Sequence, residues 1–126
     1  MERFLWVGFA GALGTWARYL VNLGAAKALG VRFPYGTLIV NLVGCFLIAG
    51  VMHAASVKAI QSDTARIAIV TGFLGGLTTY SAFNFETSAL VRDGQTGAGI
   101  ANFLITTTGC LLAGVLGLMA SRRVFG

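Results

Sequence analysis

The sequence predicts an all-α membrane protein with four transmembrane helices. Hydrophobic residues make up 56% of the 126 positions and charged residues only 10%, whereas a soluble domain carries roughly a quarter charged residues. Four spans of about 20 residues use about 80 positions and leave no room for a separate domain outside the membrane. We therefore expect residues 1–126 to form a single transmembrane domain.

Four long apolar segments account for the predicted helices. They are Phe4–Leu23, Thr37–Ala55, Ile67–Val91 and Ala98–Ala120. Charged residues and the only proline lie between them, as expected for loops at a membrane surface. The first apolar run continues without a small-residue cleavage site, so we expect it to stay as a helix and not to act as a removable signal peptide.

The first and second segments each contain a polar side chain that needs a partner in lipid. Arg18 lies late in the first span, where it either snorkels to the interface or attracts anions. Asn41 shares a helix face with Thr37 and Gly44 in the second. Its amide either bonds between helices or donates hydrogen bonds to a ligand without adding charge.

The third segment predicts a broken helix. Gly75 and Gly76 stand directly before Thr78 and Thr79. Backbone without helical hydrogen bonds is tolerated at membrane depth only where protein or a water-filled cavity satisfies it, and such breaks often supply carbonyls for ions. Tyr80 and Phe83 follow, three residues apart, so their rings can stack, with simple packing as the alternative. Two further polar groups, Asn84 and Glu86, complete the segment.

The fourth segment carries polar groups at a four-residue spacing. Asn102, Thr106 and Cys110 therefore share one helix face and form a possible polar track. The alternative is that Thr106, Thr107 and Thr108 only bond the carbonyls of the preceding turn.

The charge bias across the predicted loops is small. One face carries Arg3, Lys58, Arg66, Arg122 and Arg123, and the other carries Lys27, Arg32 and Arg92. Because Lys and Arg set the orientation, five against three predicts insertion in both directions. Two oppositely inserted copies would form an antiparallel dimer about an axis in the membrane plane, and one fixed orientation is the alternative.

The sequence contains no pattern typical of an enzyme or of a nucleic-acid-binding protein. It has no G-x-S-x-G, H-E-x-x-H, Walker or dinucleotide motif, and His53 has no partner cluster. Cys45 and Cys110 lack metal-ligand spacing. Glu86 alone, without an acid, nucleophile or metal partner, does not form an active site. The basic residues behind the net charge of +5 are scattered singly, which argues against a nucleic-acid surface.

Two sequence segments resemble a known family. GTLIVNLVG at residues 36–44 and TGFLGGLTTYSAF at residues 71–83 closely resemble the signatures of the Fluc (CrcB) family of bacterial fluoride channels. The resemblance covers essentially the whole chain, including Arg18 and the small residues of the fourth segment. It implies a fluoride-selective channel surrounded by lipid in the bacterial plasma (inner) membrane. Such a channel exports cytoplasmic fluoride passively, confers fluoride resistance and has two pathways per antiparallel homodimer.

The resemblance also implies roles for individual residues. Asn41 would donate its amide to fluoride, and Tyr80 and Phe83 would face the ion with their ring edges. The backbone carbonyls of Gly75 and Thr78 would hold a structural sodium ion shared by the two subunits. The remaining pathway residues would be Thr37, Ser81, Glu86 and Thr106.

The chain departs from the family pattern at several positions. The usual TTFSTFS run reads TTYSAFN, and Cys110 and Gly114 stand where serine and threonine are common. These departures keep open a weakly conducting subunit of a heterodimeric fluoride channel. A small dual-topology multidrug transporter is another alternative, although such proteins need a carboxylate in the first span, where this chain has Arg18.

Overall fold

The computed structural model describes all residues from 1 to 126 and contains helices but no strands. The elements are α1 (Glu2–Leu29), α2 (Tyr35–Ser56), α3 (Asp63–Ile67), a π-helical segment (Ala68–Leu74), α4 (Gly75–Leu77), α5 (Tyr80–Arg92) and α6 (Thr96–Phe125). The prediction of an all-α protein is confirmed. In the structure the third segment is longer than predicted and extends over residues 63–92, from α3 to α5. We use the name third segment for this longer range from here on.

Two of the predicted spans form helices that are by themselves long and apolar enough to cross a membrane. They are α2 and α6, with 22 and 30 residues. Helix α1 has 28 residues, and the third segment is divided into short helices. The total of four spans therefore stays a prediction, with two spans supported by helix length and composition.

The first helix extends beyond the predicted span and ends at Leu29. Three of the six residues after Leu23 in this helix are alanine, which favours helix. Gly30 has a φ of 86° and donates its N–H to the carbonyl of Ala26. A glycine at positive φ is a common way to end a helix, because it has no Cβ to clash.

Glycines allow the helices to approach closely. Helix α2 packs along α6, and α1 packs along the third segment. A Cβ atom on Gly72 would lie 2.8 Å from the carbonyl oxygen of Val7, and one on Gly117 would overlap the Phe46 carbonyl. At these two contacts the side chain must be absent for the backbones to meet, as small residues allow in membrane helix packing.

The predicted break in the third segment is confirmed and lies at Thr78 and Thr79. Thr78 (φ −90°, ψ 154°) and Thr79 (φ −154°, ψ 114°) are extended. The Thr79 hydroxyl then accepts the N–H of Ala82 at 3.2 Å and caps the start of α5. Threonine is a favoured N-cap residue because its side-chain oxygen satisfies a free N–H of the first turn.

Most apolar side chains lie on the surface of the single chain. Only 18 of the 126 residues are buried, whereas large side chains of α1, such as Phe4, Trp16 and Leu20, are exposed. Apolar surface of this extent indicates contact with lipid or with another protein.

Candidate functional site

A cavity of about 500 Å³ lies beside the helix break, and we call it the break cavity. None of its lining residues is charged. Residues of α2, the third segment and α6 form its wall: Asn41, Gly44, Cys45, Ile48, Val70, Leu74, Gly75, Thr78, Thr79, Tyr80, Phe83, Thr106, Thr107, Cys110 and Leu111. The cavity therefore combines an apolar wall with a few neutral polar groups.

Asn41 is buried and binds the extended backbone of Thr79 at two points. Its Nδ2 donates to the Thr79 carbonyl oxygen at 3.1 Å, and its Oδ1 accepts the Thr79 N–H at 2.8 Å. The side chain thus replaces helical partners that the break removes. Because a side-chain amide has two N–H donors, one N–H of Asn41 is left for another acceptor.

Two aromatic rings line the break cavity, and a third packs against one of them. The centroids of Tyr80 and Phe83 are 5.6 Å apart and their planes are tilted by 59°, so the two rings are in contact but are not stacked face to face. Phe83 also stacks on Phe103 of α6, with centroids 6.4 Å apart and planes 22° apart. Phe83 is 6% exposed, whereas Tyr80 is 79% exposed. Phe83 is therefore buried in contact with two rings, whereas Tyr80 is exposed and contacts one.

Thr37 and Glu86 lie in a second cavity of about 520 Å³, which we call the loop cavity. The Thr37 hydroxyl donates to Oε1 of Glu86 at 2.8 Å. The other oxygen of Glu86, Oε2, is buried and has no hydrogen-bond partner. Arg32 and Asp93 also line this cavity. The predicted pathway residues are therefore divided between two cavities.

A chain of hydrogen bonds joins α6 to α5. Thr106 donates to Oδ1 of Asn102 at 3.2 Å, Asn102 donates to Oγ1 of Thr87 at 2.8 Å, and Thr87 donates to the Phe83 carbonyl at 2.7 Å. Asn102 is only 1% exposed. Of the predicted polar track, Thr106 and Cys110 line the break cavity, and Asn102 links two helices.

The break also frees backbone carbonyls. The N–H of Thr79 binds Asn41, so it does not reach the carbonyl of Gly75. Among the backbone hydrogen bonds outside the helices and those made by side chains, none ends on the carbonyl oxygen of Thr78. Gly75 and Thr78 both line the break cavity. Free carbonyls are the oxygen ligands that a hard cation such as sodium takes in broken membrane helices, so these residues fit such an ion.

The remaining predicted site residues lie apart from the break cavity. The Ser81 hydroxyl is 3.2 Å from Oγ1 of Thr79, but Ser81 lines neither cavity. Arg18 is half-buried on α1 and makes no ion pair, since the one salt bridge joins Arg66 to Asp63. The structure therefore does not bring Arg18 to either cavity.

Comparison with known proteins identifies the family. The family model described as "CrcB-like protein, Camphor Resistance (CrcB)" matches residues 5–118. The chain belongs to this CrcB-like family. Three relatives are similar over nearly the full length of the chain, and each is named "Fluoride-specific ion channel FluC".

These CrcB relatives come from different bacteria. The protein of Sorangium cellulosum (strain So ce56) is 46% identical over 124 residues, 98% of each chain. That of Anaeromyxobacter sp. (strain K) is 44% identical over the full length of both chains. That of Citrifermentans bemidjiense is 43% identical and covers 98% of this chain and 100% of its own. The resemblance read from the sequence is confirmed, and the relatives are named as channels and not as enzymes.

Several side chains at the CrcB site were not predicted from the sequence. Thr79 was detectable, because a threonine just after a helix break is a typical N-cap. Phe103 and Thr87 gave no such signal, because their contacts with Phe83 and Asn102 depend on how α5 packs against α6. Thr107 was considered only as a residue bonded to its own helix, but the structure gives its hydroxyl no hydrogen bond and places it at the break cavity.

Proposed function

We propose that this CrcB-like protein is a fluoride-specific ion channel and that fluoride passes through the break cavity. One observation carries this proposal: Asn41, Tyr80 and Phe83 line the same cavity, and no charged side chain lines it. The names of the relatives supply the identity of the ion.

The cavity suits a small and strongly hydrated anion. Selective pathways replace the hydration shell of an ion with fixed polar groups, and binding must be weak enough for release. The remaining N–H of Asn41 is a neutral donor, so it can replace a water molecule without trapping the anion. Aromatic edges carry partial positive charge, which gives Tyr80 and Phe83 a weak attraction for an anion.

The pathway extends, in this proposal, from the break cavity towards the loop cavity. Thr106 lines the first cavity, and Thr37 and Glu86 line the second. Ser81 lies near the break through its contact with Thr79. Arg18 lies outside both cavities, so for this residue we retain a structural role or a long-range attraction of anions.

The active form is proposed to be an antiparallel dimer with two pathways, each lined by both subunits. The small loop charge bias and the apolar surface of α1 support this arrangement. In a bacterial plasma membrane such a dimer lets fluoride leave the cytoplasm down its gradient.

The carbonyls of Gly75 and Thr78 are proposed to hold a structural sodium ion between the subunits. The assignment is supported by the Thr78 carbonyl, which accepts no hydrogen bond outside the helices, by the Gly75 carbonyl, which the Thr79 N–H does not reach, and by the position of both residues at the break. A bound cation would balance the negative ends of these carbonyl dipoles. The Asn41 side chain would support this site, because its two hydrogen bonds hold Thr79 in the extended conformation. The Thr79 N–H is then kept away from the Gly75 carbonyl.

Growth of a fluoride-sensitive bacterium tests the function in cells. Expression of the wild-type protein should restore growth in fluoride, and Asn41→Asp at equal membrane abundance should not. Restoration of growth in toxic drugs, but not in fluoride, would instead favour a small multidrug transporter. Restoration only together with a second CrcB-like chain would favour a heterodimer.

A further inference from the structure

An anion in the break cavity needs hydrogen-bond donors. Many hydroxyl groups near the two cavities already donate their hydrogen to another group of the protein. The Thr37 hydroxyl donates to Glu86, and the Thr78 hydroxyl donates to the Leu74 carbonyl at 2.9 Å. A hydroxyl has one hydrogen, so a hydroxyl that donates inside the protein offers a ligand only lone pairs.

The hydroxyl hydrogen of Thr106 is also donated within the protein, and the neighbouring hydrogen bonds determine the group to which it is donated. Thr87 donates its one hydrogen to the Phe83 carbonyl, so its oxygen accepts from Asn102. The NH₂ group of Asn102 therefore points to Thr87, and its oxygen points to Thr106. Thr106 must then donate to Asn102. Its lone pairs, which repel an anion, are what remains for the cavity.

Thr107 differs from Thr106 in both burial and bonding. It lines the same cavity, but it is exposed, whereas Thr106 is buried. The hydroxyl of Thr107 makes no hydrogen bond to its own helix or to a neighbour, although Thr78 and Thr87 both bond the carbonyl four residues before them. Its hydrogen is free to meet a ligand.

We propose that the α6 hydroxyl that donates a hydrogen bond to the permeating anion is that of Thr107 and not that of Thr106. Asn102 causes this difference, because its Oδ1 accepts the hydroxyl hydrogen of Thr106. This inference rests on the proposed channel function. Thr107 is then a specificity residue of the pathway, and Asn102 is a positioning residue that does not touch the ion.

Fluoride efflux from proteoliposomes tests the choice between the two neighbouring threonines. Thr107→Val keeps the shape of the side chain and removes the donor, so flux should fall by about tenfold or more, as for loss of one hydrogen bond to a charged group. Thr107→Ser should restore most of the flux. Thr106→Val should lower thermal stability, because Asn102 loses its donor, and it should cost clearly less flux per folded dimer than Thr107→Val. Thr108→Val is the matched control, since Thr108 is exposed and lines neither cavity, and its flux should stay within about twofold of wild type.

A double substitution tests the role of Asn102. Asn102→Leu leaves the Thr106 hydroxyl without its acceptor and frees its hydrogen for the cavity. The double variant Asn102→Leu/Thr107→Val should therefore conduct better than Thr107→Val alone. A merely structural role of Asn102 gives the opposite result, since removing a buried amide then only adds damage. Size-exclusion chromatography identifies folded dimers, and the single threonine variants decide the question where the double variant does not fold.

Three outcomes would overturn the inference. One is wild-type flux from Thr107→Val, a second is a flux loss from Thr106→Val as large as that from Thr107→Val in folded dimers, and a third is a double variant no better than Thr107→Val. A wild-type protein that releases no fluoride would overturn the channel function itself, which is a separate and distinguishable result.

Discussion

The contact between Asn41 and Thr79 joins α2 to the helix break through polar groups. Two hydrogen bonds of 3.1 and 2.8 Å hold an extended residue that has no helical partners. At the scale of the residue, this one amide both supports the backbone and leaves a donor for an anion. Replacement of Asn41 should therefore change both the backbone conformation at Thr79 and the donor that is available to an anion.

Asn41→Asp should reduce fluoride efflux by about tenfold or more, because a carboxylate cannot donate to Thr79 or to an anion. The rate is measured with a fluoride electrode on proteoliposomes that contain equal amounts of dimer. Asn84→Asp is the matched control, since Asn84 is exposed and lines neither cavity. Equal flux from Asn41→Asp and wild type would show that Asn41 serves only to join the helices.

The two aromatic residues should differ in their tolerance of substitution. Phe83→Ile keeps apolar bulk but removes the positive ring edge, so we expect a large loss of fluoride flux. Tyr80→Phe should retain or raise the flux, because the ring remains and Tyr80 is mostly exposed. Both are measured by the same efflux assay.

Phe103→Ile separates contact with the ion from packing. Phe103 stacks on Phe83 but does not line the break cavity. If Phe103→Ile costs as much flux as Phe83→Ile in folded dimers, the rings act by packing and the proposed contact with fluoride is wrong.

The sequence predicted which residue types form the site, but not which side chains each of them contacts. Asn41 and Thr37 share a helix face, yet Thr37 lines the loop cavity and Asn41 the break cavity, because one helical turn separates them along the axis. The direction of the hydrogen bond from Thr106 could not be read from the sequence either, since it depends on Thr87 and Asn102 of two different helices.

At the scale of the element, the contact between α2 and α6 depends on Gly117. A methyl group there would overlap the Phe46 carbonyl, and backbone cannot move aside as a side chain can. Gly117→Ala should therefore lower the free energy of unfolding by about 1–3 kcal/mol, the usual cost of overpacking. Thermal or denaturant unfolding of the detergent-solubilised protein measures this change.

Gly97→Ala is the control for that substitution. Gly97 also lies in α6, but a Cβ there would meet nothing within 4 Å. Alanine has the higher helix propensity, so this variant should be as stable as wild type or more stable. Destabilisation of equal size in both variants would contradict the packing explanation.

The elements of the third segment were only partly predictable. Its break followed from Gly75, Gly76 and the threonines after them. The early start of α3 at Asp63 was missed, although the Ser62 hydroxyl accepts the Ala65 N–H and gives a typical N-cap signal. The π-helical segment at Ala68–Leu74 has no clear sequence pattern, and in the structure it packs against α1.

At the scale of the whole molecule, assembly is the property that the sequence determines least. The loop charges differ only by five against three, and the apolar surface of α1 can meet lipid or protein. The sequence also does not determine the total number of spans, because the broken third segment contains no single long helix.

Labelling of terminal cysteines tests the proposed dual topology. Single cysteines placed at either terminus, in a chain with Cys45 and Cys110 replaced by serine, should react with an impermeant reagent from both sides of the membrane. Reaction of all C-termini from one side would show a single orientation and exclude an antiparallel dimer.

Fluoride release from proteoliposomes, compared with chloride release from the same vesicles, is the most direct test of channel function. The purified wild-type protein should release internal fluoride down its gradient when a potassium ionophore balances charge, and chloride should stay inside. Release of neither ion by a well-folded dimer, or equal release of both, would contradict a fluoride-specific channel built around the break cavity.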